Sequence, residues 1–226
     1  MKIKIKRQKD SYSASEWQVF DYSGNGRETV TKILDTLNYR DDLYDENHIL
    51  RRRIRWECSC MQKICGGCAM VINGVPALAC STFIDTDKTK LLTLEPLTKF
   101  PVVSDLIVDR SIIFEHLKEA ELYIPTYAKS DKKDAAHQYS AAKCLKCGLC
   151  LEVCPNYVPE GENFFGAVFA NDSYLAYTSS ADRKEEIKKV YNKHFSSGCS
   201  KSLACRDICP ANMQTLSTIA YMNKQK

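Results

Sequence analysis

Residues 144–155 have the sequence CLKCGLCLEVCP, in which the second, third and fourth cysteines follow at steps of three, three and four residues. Three thiolates at positions i, i+3 and i+6 can curl around three corners of a cubane, and the final proline turns the chain away. This C-x2-C-x2-C-x3-C-P run is typical of chains that bind a four-iron cluster. Its last cysteine usually ligates a second cluster, so a second run is expected elsewhere.

The second run lies near the C-terminal end of the sequence. Residues 199–210 have the sequence CSKSLACRDICP, which keeps the spacing except that Ser202 occupies the position of the second cysteine. If the last cysteine of each run serves the other cluster, one set has four thiolates and the other has three. Three thiolates indicate a 3Fe-4S cluster; the alternative is a four-iron cluster with the Ser202 alkoxide as fourth ligand. The predicted ligands are Cys144, Cys147, Cys150 and Cys209 for a 4Fe-4S cluster, and Cys154, Cys199 and Cys205 for a 3Fe-4S cluster.

A third group of cysteines lies in the first half of the sequence. Cys60-x4-Cys65-x2-Cys68 is followed by Cys80 after eleven residues, which matches the plant-type 2Fe-2S pattern. Glycines at 66 and 67 are expected to let backbone N–H groups approach the sulfurs without a side-chain clash. A structural zinc site also takes four cysteines, but usually as two short pairs. We therefore predict a 2Fe-2S cluster held by Cys60, Cys65, Cys68 and Cys80.

Cysteine is the unusual feature of the composition, with twelve residues. Cys58 lies outside the three patterns and is expected to be an ordinary thiol. A disulfide framework is the alternative for the whole set, but residues 1–10, MKIKIKRQKD, lack the apolar stretch of a secretory signal. No apolar run approaches the ~20 residues of a membrane span, and a net charge of +4 is too small to indicate nucleic-acid binding. We expect a chain that neither spans a membrane nor is secreted.

The first part of the sequence predicts a strand-rich domain over residues 1–103. Alternation over residues 2–6 predicts a strand with one buried face, and residues 17–22 predict a second strand. Residues 23–26, SGNG, supply turn residues that predict a hairpin. An apolar stripe over residues 30–37 predicts a helix, with Thr29 at its N-cap.

The second part predicts a helical domain over residues 104–226. Apolar residues follow a helical stripe over 104–119, and a second stripe covers 187–194. Residues 125–142 are polar enough to predict a surface loop. Together the two domains predict an α+β protein.

Four arginines, at positions 51, 52, 53 and 55, precede the first cysteine loop. Their charge could stabilise a reduced cluster or meet an acidic face on a partner. A solvated strand edge is the alternative.

The order of the three cysteine groups resembles the iron-sulfur subunit of the succinate dehydrogenase and fumarate reductase family. Residues 65–70 (CGGCAM), 73–74 (NG) and 78–80 (LAC) are similar to that family's first cluster loop, and residues 100–109 (FPVVSDLIVD) to its inter-domain segment. The resemblance covers nearly the whole chain. It implies a β-grasp domain of the plant-type 2Fe-2S ferredoxin kind, followed by an α-helical ferredoxin-like domain with two clusters.

The resemblance also implies a function within an enzyme complex. In that family this subunit has no dicarboxylate site, and it passes electrons between a FAD-containing flavoprotein subunit and a membrane anchor that binds quinone, with or without haem. The path runs through 2Fe-2S, 4Fe-4S and 3Fe-4S clusters in turn. The implied location is cytoplasmic, peripheral on the inner face of the cell membrane through the partner subunits. The alternatives are an electron-transfer subunit for a different flavoprotein reductase, soluble or thiol-linked, and a zinc-stapled binding protein.

Two positions depart from the family's pattern. Its succinate dehydrogenase branch usually has tryptophan shortly after the first Cys-Pro, and histidine after the first cysteine of the last run. Here residues 156–159 are NYVP, and Ser200 follows Cys199. These departures favour a fumarate-reductase-like or more distant relative. Tyr157 and Lys201 are candidates for the missing groups, and an ordinary surface role is the alternative for each.

Overall fold

The structure is a computed structural model that describes residues 1–124, 135–161 and 163–225. The chain divides into two compact units, Met1–Asp109 and Arg110–Lys226. Of the predicted surface loop over 125–142, residues 125–134 lie outside the described residues. The remainder, Ala135–Ala142, is a helix, because four of its eight residues are alanine, the strongest helix former. In the described part of the chain no helix is long and apolar enough to cross a membrane.

The first unit is built on a five-stranded sheet with the strand order β2-β1-β7-β4-β5. β1 pairs antiparallel with β2 and parallel with β7, while β3 pairs with β6 and β8 with β9 in two small sheets. The strands are β1 (Lys2–Arg7), β2 (Glu16–Asp21), β3 (Arg27–Thr29), β4 (Ala69–Ile72), β5 (Val75–Leu78), β6 (Phe83–Asp85), β7 (Leu91–Glu95), β8 (Val102–Ser104) and β9 (Ile107–Val108). The helix α1 (Val30–Asn38) follows β3.

The first two predicted strands and the first helix are confirmed. β1 and β2 pair across residues 8–15, whereas the predicted turn at 23–26 leads from β2 to β3, which pairs with β6. Ile3 and Ile5 of β1 are fully buried, while the alternating Lys2, Lys4 and Lys6 are exposed or half-buried, as alternation requires. In α1 the buried residues include Ile33 and Leu34, and Thr29 Oγ1 accepts a hydrogen bond from the N–H of Lys32 at 3.2 Å. The local periodicity of the sequence therefore determined these elements.

The helix predicted over 104–119 begins only at Ser111, and that part of the prediction is wrong. Residues 102–108 form the β8–β9 hairpin instead, with Asp105 in a left-handed conformation at φ 50°. The N–H of Asp105 donates to the carbonyl of Gln8 at 2.8 Å, and that of Leu106 donates to the carbonyl of Arg55 at 3.1 Å. These bonds hold the segment in the first unit, which extends past the predicted boundary at residue 103.

The second unit is helical and is organised around α5. Its α-helices are α2 (Ser111–Glu119), α3 (Ala135–Ala142), α4 (Leu149–Glu152), α5 (Gly166–Ser179), α6 (Lys184–Tyr191), α7 (Ala204–Asp207) and α8 (Thr215–Lys224). α5 is buried on nearly all sides and contacts α2, α3, α4, α6 and α8. The two short helices α4 and α7 contact each other. Each of these short helices lies inside one of the two cysteine runs.

Three stacked rings hold the chain segment that precedes Cys199. His116 stacks on Phe165 at a centroid distance of 3.7 Å, and Phe165 stacks on His194 at 4.1 Å. His194 lies in the π-helical turn Asn192–Ser196 that continues α6, and its carbonyl accepts a hydrogen bond from the N–H of Phe165 at 2.9 Å. Both imidazoles are buried, and burial lowers the pKa of His116. The stack therefore holds the turn that leads into the second cysteine run.

Candidate iron-sulfur cluster sites

The β4–β5 hairpin brings together the two ends of the first cysteine group. Cys68 immediately precedes β4, and Cys80 lies in the 3-10 helical turn Ala79–Ser81 that follows β5. Because Ala69 pairs with Leu78, the N–H of Cys80 reaches the Sγ of Cys68 at 3.4 Å. Burial raises the pKa of the Cys68 thiol to about 12. The fourth cysteine of the 2Fe-2S pattern thus lies beside the third.

Backbone N–H groups converge on the sulfur of Cys60. Its Sγ accepts hydrogen bonds from the N–H groups of Gln62, Ile64 and Cys65, each at 3.3 Å. These bonds, with that from Gln62 the strongest influence, lower the pKa of the Cys60 thiol to about 6. Gly66 has a φ of 77°, a conformation that strains any residue with a side chain. The loop is arranged to stabilise negative charge on sulfur.

The structure also bears on the roles predicted for Gly67 and Cys58. A Cβ at Gly67 would lie 3.6 Å from the Sγ of Cys65, which is an ordinary contact distance, so the expected side-chain clash is not found. The N–H of Gly67 instead donates to that sulfur at 3.4 Å. Cys58, outside the pattern, has an exposed side chain.

Four cysteines line one pocket of the second unit. They are Cys144, Cys147, Cys150 and Cys209. Three come from the first run and the fourth comes from the end of the second run. Burial raises the pKa of the Cys147 thiol to about 11 and raises that of Cys150 strongly. These thiols will lose their protons readily only when a positive centre binds them.

Three cysteines line a second pocket. They are Cys154, Cys199 and Cys205. Ser202 and Leu203 also line this pocket, and the rings of Phe164 and Phe195, with centroids 5.3 Å apart, form part of its wall. Burial raises the pKa of the Cys205 thiol to about 11. The structure therefore groups the seven cysteines of the two runs as four and three, with the last cysteine of each run in the other run's pocket.

The two runs share one backbone conformation. Lys146 and Lys201 have φ angles of 52° and 60°, and Gly148 and Leu203 have φ angles of 84° and 64°. Gly148 is the N-cap of α4 and Leu203 is the N-cap of α7, and both helices have four residues. Ser202 consequently occupies the backbone position that corresponds to Cys147.

Among the positions that depart from the family pattern and their neighbours, Asn156, Ser200 and Lys201 lie at the surface, whereas Tyr157 is buried. Ser200 Oγ and Asn156 Oδ1 are 2.6 Å apart in an exposed hydrogen bond that joins the two runs. Lys201 is exposed and lines the three-cysteine pocket. Tyr157 is only 1% exposed, and burial raises the pKa of its phenol to about 12. Tyr157 is therefore a core residue and does not replace a surface group.

Sequence reasoning missed a buried ion-pair network next to the first loop. Asp105 has no solvent exposure and lies between the guanidinium groups of Arg7 and Arg52. Arg52 is thus a partly exposed member of a buried network, a role that differs from the three predicted for the arginines, which were stabilising a reduced cluster, meeting an acidic partner and lying at a solvated strand edge. A signal was present in β1, where Arg7 continues the inward-facing positions of Ile3 and Ile5 and so requires a buried partner.

The donor sets fit iron-sulfur clusters. Cysteine thiolate is the usual ligand of such clusters, and each pocket of the second unit is lined by cysteine sulfurs with apolar side chains around them. Within the described residues, no three His, Cys, Asp or Glu side chains converge as they do around a single ion. All twelve cysteines are described, and none is in a disulfide bond.

Comparison with protein-family models supports two kinds of cluster. Residues 2–115 match a 2Fe-2S iron-sulfur cluster binding domain. Residues 140–213 match a 4Fe-4S dicluster domain. The zinc alternative finds no support in these matches, and the 2Fe-2S and 4Fe-4S character of the two regions is established at the level of the domain.

Whole-chain relatives come from both branches of one family. The chain is 32% identical over 182 residues to the succinate dehydrogenase iron-sulfur subunit of Bacillus subtilis, covering 76% of this chain and 71% of the relative. It is 29% identical over 205 residues to the fumarate reductase iron-sulfur subunit of an Escherichia coli O6:H1 strain, covering 85% and 80%. A chain of the Mycobacterium smegmatis Sdh1 complex in its apo form shares the fold, with a TM-score of 0.77, 22% identity, and coverage of 99% and 94%. The protein belongs to the family of succinate dehydrogenase and fumarate reductase iron-sulfur subunits.

Proposed function

We propose that the chain is the electron-transfer subunit of a fumarate reductase or succinate dehydrogenase complex. The observation that carries the proposal is the grouping of the two cysteine runs into a pocket of four and a pocket of three. When bound, iron-sulfur clusters accept and release single electrons. The proposed ligands are Cys60, Cys65, Cys68 and Cys80 for 2Fe-2S, Cys144, Cys147, Cys150 and Cys209 for 4Fe-4S, and Cys154, Cys199 and Cys205 for 3Fe-4S.

The residues around the sulfurs would set how easily each centre is reduced. At Cys60, three N–H donors stabilise negative charge on sulfur, which favours the reduced state. In the second unit, Phe164 and Phe195 wall one pocket with apolar rings and keep water from that side. Burial and hydrogen bonding are two of the main determinants of cluster potential. The chain's own contribution is thus ligation and tuning, with no dicarboxylate site proposed.

The proposed partners follow from the family. One is a FAD-containing flavoprotein subunit, and the other is a membrane anchor with quinone. The chain would lie peripherally on the cytoplasmic side of the membrane, held there by these partners. Relatives named as subunits of succinate dehydrogenase and fumarate reductase support such an assembly.

One observation favours a second candidate function. Asn156 and Ser200 bond to each other at the surface near the three-cysteine pocket, where the succinate dehydrogenase branch was expected to place tryptophan and histidine. A chain without those groups fits a fumarate-reductase-like subunit or a more distant relative, and the second candidate is such a relative that serves a different flavoprotein reductase, soluble or thiol-linked. The flavoprotein that copurifies with the chain distinguishes the two candidates.

Anaerobic purification followed by metal and sulfide analysis tests the cluster assignment. We expect about nine iron atoms per chain, from centres with two, four and three irons, and negligible zinc. With its flavoprotein the chain should transfer electrons to a quinone analogue, and alone it should turn over neither succinate nor fumarate. Two or three bound zinc ions without acid-labile sulfide would overturn the proposal, as would sustained dicarboxylate turnover by the isolated chain.

A further inference from the structure

Lys146 lies between two of the cysteines that line the four-cysteine pocket. Its ammonium group forms an ion pair with the carboxylate of Asp172 on α5. The Lys146 side chain is only 22% exposed and that of Asp172 is 14% exposed. A lysine in such a loop would ordinarily extend into water, so the carboxylate holds a positive charge at a partly buried place next to the pocket.

α5 contacts both this loop and the end of α3 that precedes it. Besides the Asp172 ion pair, the buried Asn171 donates through Nδ2 to the carbonyl of Ala141 at 2.8 Å, just before Cys144. Asn171 and Asp172 belong to the Asn-Asp-Ser sequence of a glycosylation acceptor, but Asn171 is inaccessible to a modifying enzyme. Asn171 and Asp172 therefore contact α3 and the cysteine loop from within the fold.

The second run shows that the ion pair is not needed to form the turn. Lys201 occupies the position that corresponds to Lys146 and has nearly the same φ angle. It is exposed, and among the described residues it has no carboxylate within ion-pair distance. Because the same backbone forms without a tethered lysine, the Lys146–Asp172 pair is not required for the turn.

We propose that Lys146, held by Asp172, is a positioning and charge-supplying residue that raises the reduction potential of the 4Fe-4S centre. This rests on the proposed ligation of that centre by the four-cysteine pocket. A fixed positive charge beside the ligands favours the more negative, reduced state, and a partly buried charge is screened less than an exposed one. Lys146 lies within two residues of both Cys144 and Cys147, whereas Asp172 lies on α5 and contacts the loop through the Lys146 ammonium.

Lys143 provides a matched control. It lies directly before Cys144, so it is as close in sequence as Lys146, but it is exposed, with its ammonium 4.6 Å from the centroid of the Tyr139 ring. Solvent should screen its charge. Removing it should change the potential much less than removing the charge of Lys146.

The test is a redox titration of the three centres in the anaerobic full chain, monitored by paramagnetic resonance. Lys146→Met should shift the oxidised–reduced equilibrium of the four-iron centre toward the oxidised state by about tenfold, which is 59 mV for one electron. Lys146→Arg should keep the parent potential, and Lys143→Met should shift it by less than about threefold. The other two centres serve as internal references in every titration.

The role of Asp172 is tested by combining substitutions. If the carboxylate holds the ammonium in place, Lys146→Met should have a smaller effect in the Asp172→Asn background than in the parent. Equal effects in both backgrounds would overturn the role of Asp172, and an unchanged potential in Lys146→Met with the four-iron signal present would overturn the proposal. A parent chain without any four-iron signal would instead refute the ligand assignment on which the proposal rests.

Discussion

Replacing Asp105 by alanine should strongly destabilise the first unit. Its Oδ1 lies 3.0 Å from Arg7 Nε and accepts hydrogen bonds from Arg52 Nη2 at 2.5 Å and from the N–H of Gln8 at 3.0 Å. Its Oδ2 accepts from Arg52 Nη1 at 2.8 Å and from the N–H of Arg55 at 2.9 Å. One carboxylate thus joins the end of β1, the approach to the first cysteine loop and the β8–β9 turn.

The expected loss in the free energy of unfolding follows from the buried charge and the N–H groups that Asp105→Ala leaves without a partner. Arg7 is 2% exposed, and burial lowers the pKa of its guanidinium, with Asp105 the main group that opposes this decrease. Removing one partner of a buried ion pair costs about 3–5 kcal/mol. The hydrogen bonds of Arg7 to Gln18 and to backbone carbonyls persist, and the free N–H groups at 8 and 55 add to the cost, so we expect about 4 kcal/mol.

Two further variants allow the destabilisation by Asp105→Ala to be compared with the loss of more exposed charges. Arg52→Gln leaves the Asp105–Arg7 pair intact, and the Arg52 side chain is 37% exposed, so its loss should cost about 1–2 kcal/mol. Lys88→Gln removes an exposed pair with Asp85 and should have almost no effect. The expected order of destabilisation is Asp105→Ala, then Arg52→Gln, then Lys88→Gln.

The chain offers a natural reporter for this measurement. Its two tryptophans, Trp17 and Trp56, both lie in the first unit, so the wavelength of tryptophan emission follows the unfolding of that unit in denaturant. The measurement uses the anaerobic chain with its clusters. A cost below about 1 kcal/mol for Asp105→Ala, or a cost no larger than that of Arg52→Gln, would refute the reasoning about the buried charge.

Two further predictions concern the cysteine groups. Cys65→Ala should remove the 2Fe-2S signal from the visible circular dichroism and leave both centres of the second unit, because the three ligand sets lie in two separate compact units; loss of all three signals would contradict that separation. Ser202→Cys should supply a fourth thiol to the three-cysteine pocket, abolish the paramagnetic signal of an oxidised three-iron centre and lower the reduction potential of that centre. An unchanged three-iron signal would show that residue 202 does not face the corner of the cluster that lacks an iron.

Most of the structure that the sequence predicted has local causes. Cysteine spacing within a run predicted which neighbouring thiols line one pocket, and the repetition of the run predicted the long-range exchange of Cys154 and Cys209 between the two pockets. Period-two and helical patterns predicted β1 and α1. The segment 104–110 was predicted wrongly, because Leu106 and Ile107 fit a helical stripe, and only the bonds of Asp105 and Leu106 to residues 8 and 55 select the hairpin. Likewise, nothing local connects Lys146 with Asp172, which lies 26 residues away.

The second cysteine run shows that contacts distant in sequence, more than local preference, determine the turn. Gly148 adopts its left-handed conformation at little cost, whereas Leu203 adopts nearly the same conformation at a cost of about 1–2 kcal/mol. Leucine would not choose this backbone by itself, and its side chain is 43% exposed, so burial offsets only part of the cost. The remainder must come from interactions that depend on the turn, and in the described residues these are the packing of α7 on α4 and the placement of Cys205 and Cys209 in two different pockets. Metal-ligand bonds contribute folding free energy, so the strain at Leu203 is the kind of local cost that cluster binding can offset.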